Sequence, residues 1–217
     1  MNIGRKIATL SYALGTKQLR QVESVRDLGI CVQGNLKTTE HTAHARKRGL
    51  RMLWMMKRAF TSWSPVIFRK LHTALIRPAM EYGAPAYYPI TLSEANSLKY
   101  VQRLGLRMVP QLRGLTHEQR CAALHLTTLS YRRNRADLLM MFRVLELNEL
   151  PCLRRFFGVF VQRSNRGHPF RLRVQRTDGL PHKYRLSRRA IKVWNQLPSA
   201  VFETMTLANF EEKGMFV

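Results

Sequence analysis

The chain has 217 residues, 45% hydrophobic and 23% charged, which is enough to bury a core in one or two domains and too apolar for wholesale disorder. Lys and Arg number 37 against 13 acidic residues, a formal net charge of +24. No apolar run approaches the roughly 18 residues of a membrane span. Met1 to Ala13 lacks a signal-peptide core, and the widely spaced Cys31, Cys121 and Cys152 form neither a disulfide framework nor a CxxC knuckle.

In chain order, Ile7 to Tyr12 is partly β-branched and alternating, Leu14-Gly15-Thr16 is a turn, and Leu19 to Val22 is placed to return antiparallel. Asp27 to Val32 reads as a third short strand, closed by Gly34-Asn35. Three such strands need a covering layer and look like the edge of something larger.

From Thr38 the period turns helical, with Thr38 or Thr39 as cap, Glu40 in the first turn and no proline before Pro65. Leu50, Leu53, Trp54 and Phe60 fall within about 120° of one another and predict its apolar stripe. A second helix is predicted from Pro65 to about Ile76, ending before Pro78, and a third from Ser93 to Val109. The third carries Ala95, Leu98, Val101, Gln102 and Leu106 on one face. Thr116 to Gln119 has capping-box spacing and opens a short helix through Leu124. Thr128 or Ser130 starts a longer one to about Leu147, striped by Leu138, Met141, Phe142 and Leu145. Arg154 to Tyr184 reads as a loosely ordered Arg-rich loop, followed by helices at Ser187 to Gln196 and Leu207 to Lys213.

The charge is patterned. Arginine supplies 27 of the 37 cations, and its planar fork suits phosphate and bases. His41 through Arg77 holds nine Lys or Arg and no acid. Lys47, Arg51 and Arg58 project within about 40° of one another, a ridge suited to a phosphate backbone, with an ordinary solvated face as the competing reading. Arg132, Arg133 and Arg135 open a helix whose dipole they oppose, a cost that an anionic partner or screening by water would offset. Phe156, Phe157, Phe160, Phe170 and Tyr184 interleave the Arg-rich tail, where rings can stack on bases or anchor the loop to a core. His41, His44, Glu40 and His72 match no zinc spacing, and no P-loop or GxGxxG is present. Asp27, Asp137 and Asp178 are the three aspartates and none adjoins another, so two-metal phosphoryl transfer is not expected of this chain.

Several stretches resemble, in order, the reverse transcriptase of non-LTR (LINE-like) retrotransposons after its catalytic palm motifs. Asp27-Leu28-Gly29-Ile30 is similar to a recurrent Asp-Leu-Gly-Val, and Leu75 to Tyr82 to a "Leu-Val-Arg-Pro-x-Leu-Glu-Tyr" run. Tyr100 to Arg103 resembles a Val-Gln-Arg helix. Leu129 to Leu138 resembles Leu-x-x-Arg-Arg-x-Arg-x-Asp-Leu. Arg166-Gly167-His168 and Trp194 to Pro198 resemble motifs near that family's C-terminus. Lys99 departs, standing where the family usually has Glu. The resemblance implies a thumb-like helical region that grips a template–primer duplex, with catalytic carboxylates upstream of Met1, which would then be an internal methionine.

The resulting expectation is a mainly α chain: residues 1–36 as a small antiparallel β segment like the end of a palm, 37–150 as a helical thumb-like bundle, and 151–217 as an irregular Arg-rich region. Lys47, Arg51, Arg58, Arg132, Arg133 and Arg135 are the predicted phosphate contacts. No catalytic residue, metal, cofactor, membrane or small-molecule substrate is expected. The expected partners are RNA, DNA or a hybrid duplex and the missing catalytic palm. The location is expected to be intracellular, with the resemblance favouring the nucleus. The rival readings are a degenerate retrotransposon remnant and a stand-alone basic RNA-binding protein.

Overall fold

A computed structural model describes residues 1, 3, 11–89, 91–157, 168, 170–174, 184–202, 206–208 and 210. The chain is mainly α-helical, with two small antiparallel sheets of two strands each. It folds as two compact units, residues 1–83 with 89–126, and residues 84–88 with 127–217. The chain passes from the first unit to the second at 126/127, with residues 84–88 also belonging to the second. Among the described residues no helix is long and apolar enough to cross a membrane.

Unit one opens with two hairpins. β1 (Ala13–Leu14) pairs with β2 (Lys17–Gln18) across Gly15, whose φ of 62° suits the tight turn. The return strand thus lies at 17–18 and not at Leu19 to Val22, while the predicted strand at Ile7 to Tyr12 falls largely outside the described residues. β3 (Ser24–Asp27) pairs with β4 (Ile30–Gln33) through Leu28 and Gly29, both at positive φ. Asp27 to Val32 is therefore a hairpin corner and not one strand. Two consecutive left-handed residues match the twist of a two-residue turn, and only the second is a glycine.

Helix α1 (Thr39–Ala59) buries His41, Thr42, Ala45, Gly49, Leu53 and Met56. Trp54 and Phe60 were expected in this stripe and are instead 44% and 39% exposed. The face is set by its small residues. A Cβ on Gly49 would stand 3.0 Å from Met80 Cγ and 3.1 Å from Val101 Cγ1, so the neighbouring helices come close where α1 has no side chain.

Ser64 caps α2 (Pro65–Leu71) by accepting the Ile67 amide at 3.2 Å, with Pro65 in the first turn. The helix does not stop before Pro78. Residues His72–Ile76 form a π turn and α3 (Arg77–Glu81) continues it, with right-handed helical dihedrals at each junction. Pro78 has no N–H to give and its ring would strike the carbonyl four residues back; widening the preceding turn, where Arg77 N–H bonds the His72 carbonyl, removes that conflict.

Thr91 and Glu94 form a full capping box on α4 (Leu92–Arg107), whose buried face holds Leu98, Val101, Gln102 and Leu106 as the periodicity predicts. Glu94 Oε2 also accepts the Thr38 hydroxyl at 3.1 Å, so the residue that precedes α1 is tied to α4 instead of capping its own helix. Thr116 and Gln119 cap α5 (His117–Ala123) reciprocally.

Unit two is built on α6 (Leu129–Leu145), α7 (Pro151–Arg154) and α8 (Leu186–Trp194). Thr128 caps α6, and the predicted stripe of Leu138, Met141, Phe142 and Leu145 is buried. Phe142 stacks on Phe210 at 4.4 Å, and Trp194, Ile191 and Phe202 complete the core. Each such side chain contributes about 1.5–3 kcal/mol by leaving water.

Much of the Arg-rich segment lies outside the described residues, Phe160 included, but its described parts are packed and not loose. Phe157, His168 and Leu172 are buried, Trp194 Nε1 donates to the Phe170 carbonyl at 2.8 Å, and the Asn195 amide bonds Leu172 N–H and C=O, each at 2.9 Å. Phe157 and Phe170 therefore anchor this segment to the core and do not present faces to bases. Phe156 is 44% exposed beside Arg155.

Candidate nucleic-acid interface

Turning the buried stripe of α1 toward Ala45, Gly49 and Leu53 leaves the expected ridge of Lys47, Arg51 and Arg58 in solvent and adds Trp54 to it. Lys47, Arg51, Trp54 and Arg58 stand at i, i+4, i+7 and i+11, all exposed, within about 60° on the helical wheel and over about 16 Å of axis. Trp54 is thus a member of the basic row and not of the core beside it. Lys57 Nζ lies 5.1 Å from the Trp54 ring centroid, and the remaining ring surface meets solvent. The row offers three cations to the phosphates of a nucleic-acid strand.

The row gains a wall from the second hairpin. Arg26 on β3 joins His44, Lys47, Arg48 and Arg51 around a cleft of about 210 Å³, and no described residue lining it is acidic. The hairpin is held there by specific bonds: Tyr82 Oη donates to the Leu28 carbonyl at 2.7 Å, and Cys31 N–H donates to His41 Nδ1 at 3.1 Å. Burial holds His41 below the usual imidazole range, with the Arg48, His44 and Arg26 charges adding to that push and a bond donated to the Tyr82 backbone opposing it. A neutral imidazole is what the Cys31 amide requires, so His41 fastens the second hairpin to α1.

The second predicted cluster resolves differently. On α6, Arg132 and Arg135 are half-buried and Arg133 is buried at 8% exposure, its guanidinium 5.7 Å from the Tyr88 ring centroid. Arg133 is therefore an interior cation of unit two and is withdrawn from the set of phosphate contacts. It lies one turn before Asp137, whose carboxylate takes Arg189 in a bidentate pair, Nε to Oδ2 and Nη2 to Oδ1, both 2.7 Å. Arg189 also donates to the carbonyls of Tyr184 and Pro85 and lies 4.6 Å over Tyr88, which stacks on Tyr184 at 6.1 Å. Burial pushes the Asp137 carboxyl upward, against the Arg189 hydrogen bonds and the charges of Arg189 and Arg133.

Sequence reasoning located Lys47, Arg51 and Arg58 but missed Arg26, Arg48 and the outward Trp54. Ala45 and Gly49, four residues apart, were the available signal for the buried face of α1. Arg26 had no local signal, because only the hairpin brings it to the helix. Asp27 sits at the hairpin corner, Asp137 is engaged by Arg189, and Asp178 lies outside the described residues. Comparisons with protein-family models, curated proteins and solved structures match nothing to this chain.

Proposed function

We propose that this chain binds nucleic acid through the exposed face of α1 and the Arg26 cleft, in the manner of the thumb-like region of a non-LTR retrotransposon reverse transcriptase, gripping a template–primer duplex without performing the polymerase chemistry itself. The observation that carries the reading is the row Lys47, Arg51, Trp54 and Arg58, continued by Arg26 and Arg48 with no acid in the cleft lining. Interleaved cations around an exposed ring offer phosphate contact together with a stacking platform. Like charges held this close repel one another, and a polyanion relieves the repulsion by releasing its counterions.

The family assignment rests on the ordered motifs. The packing brings residues of different motifs together: Leu28 and Gly29 meet Tyr82, and His168 meets Trp194 through a 3.0 Å bond to its carbonyl. The test is fluorescence anisotropy on an RNA–DNA hybrid and a DNA duplex at several salt concentrations. Neutralising Lys47, Arg51 and Arg58 together (K47Q/R51Q/R58Q) is expected to lower the slope of log K against log salt by about 2.7, at about 0.9 per phosphate contact. Unchanged affinity and slope in the folded triple variant would overturn the assignment.

A further inference from the structure

A second basic concavity in unit one lies away from the α1 row. On α4, Lys99, Arg103 and Arg107 stand at i, i+4 and i+8, a row that starts half-buried beside Leu106 and is exposed at Arg103 and Arg107. Arg103 and Arg107 meet Leu115, Thr116, His117 and Arg120 around a cup of about 320 Å³, and none of these is acidic. Arg120 Nε donates to the Leu112 carbonyl at 3.1 Å, which fixes the guanidinium plane and leaves its terminal nitrogens for a ligand. The Thr116 hydroxyl accepts the Gln119 amide at 3.3 Å, so its own hydrogen is available to donate. Among the described residues neither Arg103 nor Arg107 has an ion-pair partner. Burial holds the His117 imidazole below its usual range, the charges of Arg103, Lys99 and Arg120 add to that, and Glu118, which opposes them, does not line the cup.

We propose that this cup is a binding site for a terminal phosphate group: a phosphomonoester at a nucleotide or nucleic-acid end, or inorganic phosphate itself. Three guanidinium groups, one hydroxyl and an imidazole converge from α4, the loop before α5, and α5. A dianion neutralises charges that otherwise repel, and forked donors match its oxygens. A cup walled by three segments suits a chain end, whereas the open row on α1 suits a passing backbone. This inference does not rest on the α1 reading, since the two sites share no residue.

The experiment follows the His117 Cε1–H resonance of the full chain by proton NMR, assigned with H117Q, at constant ionic strength. The probes are inorganic phosphate, a 5′-phosphorylated dinucleotide and the same dinucleotide without that phosphate. A saturable shift is expected with at least one of the first two, and which of them binds identifies the source. In R103Q/R107Q, two exposed positions, the affinity is expected to fall by about tenfold or more, whereas K47Q/R51Q/R58Q leaves it unchanged. The proposal is overturned if neither phosphate probe shifts the resonance, if the unphosphorylated dinucleotide shifts it equally, or if R103Q/R107Q binds like the unsubstituted chain. The single variant R103Q provides the same comparison should the double one fold poorly.

Discussion

Asp137→Asn preserves the outline of the side chain while removing the charge that faces Arg189. In the folded chain the two side chains are 3% and 11% exposed, and both guanidinium bonds measure 2.7 Å. Water cannot replace the carboxylate at that depth, so Arg189 would keep a buried charge with half of its pairing gone. Breaking a buried pair from one side costs about 3–5 kcal/mol; Asn still accepts one bond, which places the expected loss near 3 kcal/mol. Replacing both partners by apolar residues (D137L/R189M) removes the desolvation cost along with the attraction and is expected to be much milder than either single change. Hydrogen exchange read by mass spectrometry suits a chain of two units, because peptides from α6 and α8 report unit two while α1 peptides serve as reference. Asp137→Asn should accelerate exchange in α6 and α8 roughly 150-fold, the equivalent of about 3 kcal/mol, with α1 unchanged. Acceleration under about fivefold, the range of a surface ion pair, would refute the reasoning.

Three further outcomes are expected. His41 has a folded pKa below its ordinary value of 6.5, so the native state favours the neutral ring; its contribution is complete above about pH 6.5 and is lost as pH falls through the folded pKa, which a thermal melt series from pH 8 to 5 will show as a falling midpoint, shallower in His41→Gln. Gly83→Ala forces a Cβ onto a residue at φ 71° with Ile30 Cδ1 2.8 Å away, and should destabilise unit one by about 1–2 kcal/mol in exchange or denaturation measurements. Trp54→Ala removes a 44% exposed ring, so the melting temperature should hold while single-strand affinity falls by about 1–3 kcal/mol, read by anisotropy on a short oligonucleotide.

Local rules were legible in the sequence, and pairings over distance were not. Pro65, the Thr116–Gln119 box and Thr128 marked helix starts correctly because a cap is a contact between residues three apart. Thr91 and Glu94 carried the same signature, and the helix begins one residue before the predicted Ser93 because of it. Leu28 defeated the strand reading because a non-glycine at positive φ leaves no trace in composition. Trp54 was assigned to the core by apolarity, whereas Gly49 decided the buried face by allowing Met80 and Val101 to approach. Arg133 looked like a surface cation beside Arg132, and nothing nearby in sequence announces Tyr88, 45 positions earlier, or Arg189, 52 positions after Asp137.

The widened turn at His72–Ile76 has a consequence for how this chain tolerates insertions and deletions. One extra residue in a helix advances everything downstream by about 100° around the axis. The turn takes up such a residue without breaking the rod, and so sets the angular phase at which Met80 meets Gly49 and Tyr82 reaches the Leu28 carbonyl. Removing a single residue there would set a regular turn against the ring of Pro78 and point the far end the wrong way. The hairpin that carries Arg26 would then lose its bond to Tyr82, although no residue that touches it had been altered.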